Sequence, residues 1–294
     1  MDQERFNSAQ AAMGLSLDAE LSPDLSEALC SPQFSGCFEP ADGPEPALVH
    51  ALIALAKEFS VAPISGFQVG ALAVARSGRC YLGANMEFTG VPLHASLHAE
   101  QSAVINAWMH GEQAIDSLHV SELPCGLCRQ FLLEIYDAAK LPIIVKTAAT
   151  TLAELMPQPF INRRPKGQSL LDSPPRNLVN IHPEPGNHIQ RAINAASRSY
   201  TPYSQSPEGF IIETINGHHL AGRVAESIAL NPSVPAAIAA LNQMNLSAQR
   251  KVSISRCTHA RLATALTQSY AFSESLMRGI CSTPVESVLM ESVD

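Results

Sequence analysis

The chain has 294 residues, 46% hydrophobic and 16% charged, which suffices for one large or two ordinary domains and is too apolar for disorder. Its 27 acidic and 19 basic side chains leave a formal net charge of −8, so neither nucleic acid nor an anionic membrane is an expected partner. Residues Met1 to Ser8 lack the basic start and apolar run of a secretory signal, and the apolar stretch Ala47–Ala56 is too short to span a bilayer; with seven unevenly spread cysteines, a reducing, cytoplasmic setting is expected.

Residues 1–45 read as a helical extension: Phe6, Ala9, Met13 and Leu17 recur at helical spacing, and Leu21-Ser-Pro opens a new short segment. The Gly/Pro-rich stretch Glu39 to Pro46 ends it, and a helix is expected over Ala47–Phe59. Phe67–Ala75 and Arg79–Asn85 read as strands around the turn Ser77-Gly78. Then come a helix over His98–His110, a strand over Ser117–Ser121, a helix over Cys125–Ala138 and a strand over Leu141–Lys146. This alternation predicts an α/β unit over residues 46–156, a sheet with helices on both faces. Residues 157–185 hold Pro157, Pro159, Pro165, Pro174, Pro175, Pro183 and Pro185, a density that reads as a linker. Arg163-Arg164 within it reads as solvated charge.

Residues 186–294 read as a second copy. Shifting the chain by 139 residues without a gap sets Pro63 on Pro202, Ser65 on Ser204, Gly70 on Gly209, Gly78 on Gly217, Gly83 on Gly222 and Glu87 on Glu226. The same shift lays Ala47–Phe59 on Gly186–Arg198, and strands around Asn216-Gly217 echo the first hairpin. It sets His98 on Ala237 and Glu100 on Ala239, and no second Pro-Cys-x-x-Cys follows, so the copy is expected to be degenerate. His218-His219 reads as exposed surface, and the remaining cysteines as packed thiols.

The chemistry concentrates in His98-Ala99-Glu100 and, after 23 residues, Pro124-Cys125-Gly126-Leu127-Cys128. Cysteines at i and i+3 share one helix face, and helix-start amides favour their thiolates. Zinc favours thiolate and imidazole ligands, and three protein ligands leave a position for water. His98, Cys125 and Cys128 are the expected ligands, with one Zn2+ per chain. Glu100 is the expected proton carrier, since two thiolates acidify a zinc-bound water less than an all-histidine site does. Separately, a Cys-x-x-Cys is often a structural zinc knuckle or a redox pair, and a structural site takes four ligands; His94 and His110 are the candidates for a fourth. The whole pattern, in order, is the mark of zinc deaminases acting on bases.

The sequence resembles the long, dimeric form of cytidine deaminase, from about Ala47 to the C-terminus. The likeness is carried by Pro63 to Gly70, by Gly83-Ala-Asn-Met-Glu-Phe88, by His98-Ala-Glu-Gln101 and by Pro124-Cys-Gly-Leu-Cys-Arg-Gln130. Deaminases of transfer-RNA adenosine, of dCMP and of guanine share the zinc motif; the Asn85-Met86-Glu87 triplet points to nucleosides. His98 and Gln101 match the dimeric branch, whereas Leu127 stands where the family commonly has histidine. The resemblance implies a three-layer α/β/α catalytic domain with a degenerate repeat, converting free cytidine and deoxycytidine to uridine and deoxyuridine plus ammonia. A zinc-activated water would attack C4 while Glu100 shuttles protons. It implies that Asn85 and Glu87 hold the ribose hydroxyls, that Phe67 packs on the pyrimidine, that Ala99 and Cys125 backbone meets the base edge, and that Phe160 covers the base, with Met86 between the sugar-binding pair. It also implies a homodimer in which Ala225–Leu230 of one chain helps close the site of the other. A polynucleotide-editing deaminase, a non-catalytic zinc protein and a redox Cys-x-x-Cys protein stay open as alternatives.

Overall fold

The structure is a computed structural model that describes residues 7–8, 10–11, 13–14, 22–41, 43–161, 168–181 and 186–293. Phe6, Ala9, Leu17, Arg163, Arg164, Pro165, Pro183 and Pro185 lie outside the described residues. Met13 is buried. Helix α1, Pro23–Leu29, starts at Ser22, whose hydroxyl accepts from the Leu25 amide, with proline in the first turn where its missing N–H costs nothing. Strand β1, Cys37–Phe38, follows, then α2, Pro46–Glu58.

The first sheet is built from β2 (Gly70–Ala75), β3 (Cys80–Ala84), β4 (Ile115–Val120), β5 (Pro142–Val145) and β6 (Ala148–Thr151), in the order β1-β3-β2-β4-β5-β6. The β4–β5 pair is parallel and its neighbours antiparallel. Helices α3 (Ala99–Met109), α4 (Gly126–Leu132) and α5 (Leu152–Leu155) complete this half. Every residue of β2 and β3 is buried, because α2 covers one face and α3 the other.

The second sheet repeats the plan. Strands β7 (Leu178–Asn180), β8 (Glu208–Thr214), β9 (His219–Arg223), β10 (Ile254–Leu262) and β11 (Val285–Ser292) lie in the order β7-β11-β10-β8-β9, again with one parallel pair, β10–β11. Helix α6, Asn187–Ser197, takes the place of α2, and α7 (Ala236–Asn245) that of α3; α8 is Tyr270–Arg278. The proline-rich stretch is more than a connector, since Leu178–Asn180 pairs with β11.

Glycines mark the repeat. A Cβ on Gly70 would stand 2.6 Å from the Ile53 carbonyl, and one on Gly209 would stand 2.1 Å from the Ala192 carbonyl, 139 residues on. Gly83 faces the Ala99 carbonyl and the Ala103 amide; Gly222 faces Ala236 and Ala240. That second pair is offset by 137, not 139. The ungapped alignment therefore breaks at α3: the loop from Glu226 to α7 is two residues shorter than the loop from Glu87 to α3. Pro235, the residue before α7, stands where His98 stands before α3, and Ala237 stands where Glu100 does. The copy still lacks both ligand and carboxylate.

Helices α3, α4, α7 and α8 fill one central core that takes residues from both sheets, including Ala103, Phe131, Phe210 and Met277. An outer core under α2 holds Leu52, Leu55 and Leu82, and residues 25–38 close it. The other outer core, under α6, holds Ile193, Ile211 and Met290. The two α/β/α units thus share their inner helical layer.

Candidate metal centre and cleft

His98 immediately precedes α3 in extended conformation, and Cys125 does the same for α4. Two helix starts therefore converge. The Gln101 side chain returns to accept from the His98 amide at 3.2 Å, which fixes the entry into α3. Arg129 fixes the other: its Nε donates to the Pro124 carbonyl at 2.8 Å and its Nη1 to the Leu155 carbonyl at 2.7 Å. The His98 Nδ1 atom lies 3.2 Å from the Cys128 sulfur and 3.4 Å from the Cys125 sulfur, and the sulfurs lie 3.5 Å apart. A tetrahedral zinc with bonds of about 2.3 Å to sulfur and about 2.0 Å to nitrogen would set those edges near ~3.6 Å. The donor triangle fits that ion. Among the described residues these three form the one such group of metal-ligating side chains. His110, a candidate fourth ligand, instead holds Ser35 and the Asn106 carbonyl at 2.9 Å each.

Electrostatics follow from the packing. Cys125 is drawn down to about 3, first by its hydrogen bond with Cys128 and then by His98, against the effect of burial. Cys128 is raised by that same bond and by burial, and His98 is raised by its bond with Cys125 despite burial. A thiolate is available at neutral pH, and a cation taken by all three residues displaces the remaining proton. Glu100, 4% exposed, lies against Cys128 and His98; burial raises its carboxyl above the usual range.

The cleft above these residues encloses about 270 Å³. Its walls include Phe67, Asn85, Glu87, Ala99 and Cys125 beside His98 and Glu100. Asn85 is held on three sides: Oδ1 accepts from the Ser60 hydroxyl (2.6 Å) and the Val69 amide (2.9 Å), and Nδ2 donates to the Phe67 carbonyl (2.8 Å). One Nδ2 hydrogen is left for a guest. Glu87 accepts from the amides of Ile64 (2.8 Å) and Ser65 (2.9 Å) and from the Ser65 hydroxyl, which together hold its carboxyl low despite burial. Glu226 receives the same three bonds from Tyr203 and Ser204. The clamp on this loop is thus common to both halves, whereas Asn85 becomes Val224 in the second.

Not every expected residue reaches the cleft. Met86 is buried in the central core, its backbone bridging Val61 and Leu97, and it does not line the cavity. Phe160 is outside the lining as well; its backbone is tied to the Gln130 amide by two bonds of 2.7 and 3.2 Å and its ring is exposed. The expected helix from Cys125 to Ala138 ends at Leu132, and Glu134 leaves it to meet the second half. Sequence reading missed Ser65, Glu122 and Leu123 in the wall. Ser65 was within reach, because it is one of the residues the repeat preserves; nothing in the pattern singles out the other two.

Comparison with known proteins agrees with this geometry. A family model described as the cytidine and deoxycytidylate deaminase zinc-binding region matches residues 45–144. A cytidine deaminase of Pectobacterium carotovorum subsp. carotovorum (strain PC1) is 36% identical over 294 residues, 98% of this chain and 99% of its own length. This chain belongs to the cytidine and deoxycytidylate deaminase family. A cytidine deaminase of Yersinia pestis (strain Pestoides F) is 38% identical over 274 residues, 91% of this chain and 93% of its own. The crystal structure of cytidine deaminase from Mycobacterium leprae is 30% identical, with a TM-score of 0.34, and covers 38% of this chain and 96% of that one. A second model with the same family description matches residues 152–271, so the second half is itself deaminase-like, with no such ligand group among its described residues. The zinc-binding family and the His/Cys/Cys donor set together make zinc the metal. No helix among the described residues is long and apolar enough to cross a membrane.

Proposed function

We propose that the chain hydrolyses free cytidine and deoxycytidine to uridine and deoxyuridine, releasing ammonia, as a homodimeric enzyme of pyrimidine salvage in the cytoplasm. The observation that carries this reading is the cleft itself: a three-ligand metal site and a buried carboxylate form one end, and an amide–carboxylate pair suited to a sugar forms the other. His98, Cys125 and Cys128 hold zinc, which when bound supplies a Lewis acid that generates a nucleophile from water at neutral pH. Glu100, kept protonatable by burial, takes one proton from the attacking water and gives it to N3 as the oxygen adds at C4, then passes the remaining proton of that oxygen to the exocyclic amine, so that the C4–N bond breaks, ammonia leaves and the C4 carbonyl forms. Asn85 donates its spare N–H to a ribose hydroxyl and Glu87 accepts from one, while the Phe67 ring packs on the base. Glu87 and Glu122 at the mouth disfavour a phosphodiester backbone, in line with the −8 net charge.

The rim supports the dimer. Phe67 and Leu123 in the cleft wall, with Ile64, Leu127 and Phe160, are each about half exposed or more, an apolar surface open to a partner. Leu230, at the tip of the 225–230 loop, is 67% exposed with φ of 63°, shaped to reach outward into such a surface. The test is the loss of cytidine ultraviolet absorbance with release of ammonia by zinc-loaded protein. Turnover of the free nucleosides supports the reading; a zinc-loaded protein inert on both nucleosides overturns it.

A further inference from the structure

The second half carries a cavity of about 550 Å³ between α6, the β8/β9 hairpin and the end of α3. Arg191, Arg198, Arg223 and His219 line it, and no carboxylate among the described residues does. Glu213 pairs with His219 across the hairpin yet stays out of the wall. Among the described residues none of the three arginines has an ion-pair partner.

Arg223 is 6% exposed. It donates from Nη2 to the Trp108 carbonyl at 2.6 Å and stacks 3.9 Å over the indole, but its buried Nε has no acceptor. The buried Nδ1 of His219 is unpartnered too. Burial, and the like charge of Arg198, pull the Arg223 guanidinium down to about 9. A buried cation facing a second cation and an unused N–H is an unfavourable arrangement that an anion would offset.

The repeat shows how unusual this niche is. At the 139-residue offset Arg191, Asn194 and Arg198 fall on Leu52, Leu55 and Phe59, and His219 and Arg223 fall on Cys80 and Ala84. All five first-half residues are buried, under a roof that includes Leu29, Phe34 and Phe38. Strand β1 closes the free edge of β3, whereas β9 is an open edge among the described residues. The place that one half fills with apolar side chains is left open and cationic in the other.

We propose that this cavity binds a small phosphate-bearing anion, its oxygens held by the guanidinium forks of Arg191 and Arg198 beside the buried charge of Arg223. Planar forks match phosphate geometry bidentately, and several of them suit an anion with more than one charge and several acceptor oxygens. The site shares no residue with the zinc cleft.

The test is thermal denaturation of the zinc-loaded full chain titrated with inorganic phosphate or with uridine 5′-monophosphate, ionic strength being held with chloride. Ligand binding to the folded state raises Tm saturably. Arg191 and Arg198 are exposed, so R191Q/R198Q folds, and its half-saturating concentration is expected to rise roughly tenfold or more. A larger effect of the nucleotide that the double variant loses assigns the rest of the cavity to a nucleoside; equal effects assign it to phosphate alone, and both sustain the proposal. No saturable rise with either ligand, or the same curve for the double variant, overturns it.

Discussion

Glu100 and Cys128 sit side by side yet fail differently when changed. Cys128 is fully buried and completes the donor triangle, so Cys128→Ala removes a ligand from a site whose binding energy is also folding energy. Zinc content measured after gel filtration is expected to fall well below one per chain, with a lower Tm; a zinc-replete variant would remove Cys128 from the ligand set. Glu100 touches the site without belonging to the triangle. Glu100→Gln is therefore expected to keep zinc and lose activity by roughly 10²–10⁴-fold, the usual share of acid–base catalysis. Near-normal turnover in the zinc-loaded variant would show that another group moves the proton. These residues were legible because residue type and spacing carry their chemistry. Met86 and Phe160 were not: which way a side chain outside the regular elements faces is set by neighbours such as Val61 for Met86 and Gln130 for Phe160.

At the scale of elements, close approach of helix to sheet positions the catalytic helix. A Cβ on Gly83 would lie 2.3 Å from both the Ala99 carbonyl and the Ala103 amide, backbone atoms that cannot swing aside. Gly83→Ala must push α3 outward, carrying His98 and Glu100 with it. Overpacking of this kind costs roughly 1–3 kcal/mol. Gly222→Ala meets Ala236 and Ala240 in the same way, but α7 carries no ligand. Both variants are expected to lose several degrees of Tm, with zinc affinity falling in Gly83→Ala and preserved in Gly222→Ala; equal zinc affinity in both would separate α3 position from metal binding. A second element-scale prediction concerns Glu208 on β8. Burial opposes its ionisation, but His259 Nε2 at 3.2 Å, the Ser269 amide at 3.0 Å and the Ser269 hydroxyl outweigh burial and hold its carboxyl below the usual range. A carboxyl lowered by folding stabilises above its unfolded pKa, about 4.3, and that stability is lost as pH falls through the folded value. Glu208→Gln is thus expected to be less stable than the parent at neutral pH, with the gap closing below about pH 4 in urea melts. A gap that stays constant with pH would exclude the ionised carboxylate as its cause.

In the whole molecule the two halves are joined by buried polar bonds. Glu134, fully buried, accepts from the Tyr200 hydroxyl (2.8 Å), the Tyr203 hydroxyl (2.7 Å) and the Ile228 amide (2.8 Å). Ser102 and Asn242 exchange two bonds between α3 and α7, and Gln101 donates to the Pro232 carbonyl at 2.7 Å. The degenerate half therefore supports the helix that bears His98. Glu134→Ala would strand two buried donors, the Tyr200 hydroxyl and the Ile228 amide, and remove an acceptor from the half-buried Tyr203 hydroxyl, a loss of roughly 2–4 kcal/mol. Its denaturant midpoint is expected to drop, while Glu134→Gln, which keeps an acceptor oxygen, drops less. Equal effects of the two would locate the contribution in packing.

The His/Cys/Cys donor set, the carboxylate beside it, the two-unit plan and the strand–helix alternation were all readable in the chain. Ligand chemistry needs particular residue types at short spacing, and repeats survive where glycines admit backbone to backbone. Other features depended on which residues meet across long sequence distances. The two-residue offset at α7 emerged from the contacts of Gly83 and Gly222. The early end of α4 reflects Glu134 turning to distant tyrosines, a bond that no local propensity encodes. Likewise His218-His219 read as exposed surface, and it is the open β9 edge that leaves His219 half-buried in a cavity with Arg191, Arg198 and the Arg223 that stacks on Trp108. Local chemistry is written in neighbouring residues; burial, and the charge environment it creates, is decided by the packing of segments far apart in the chain.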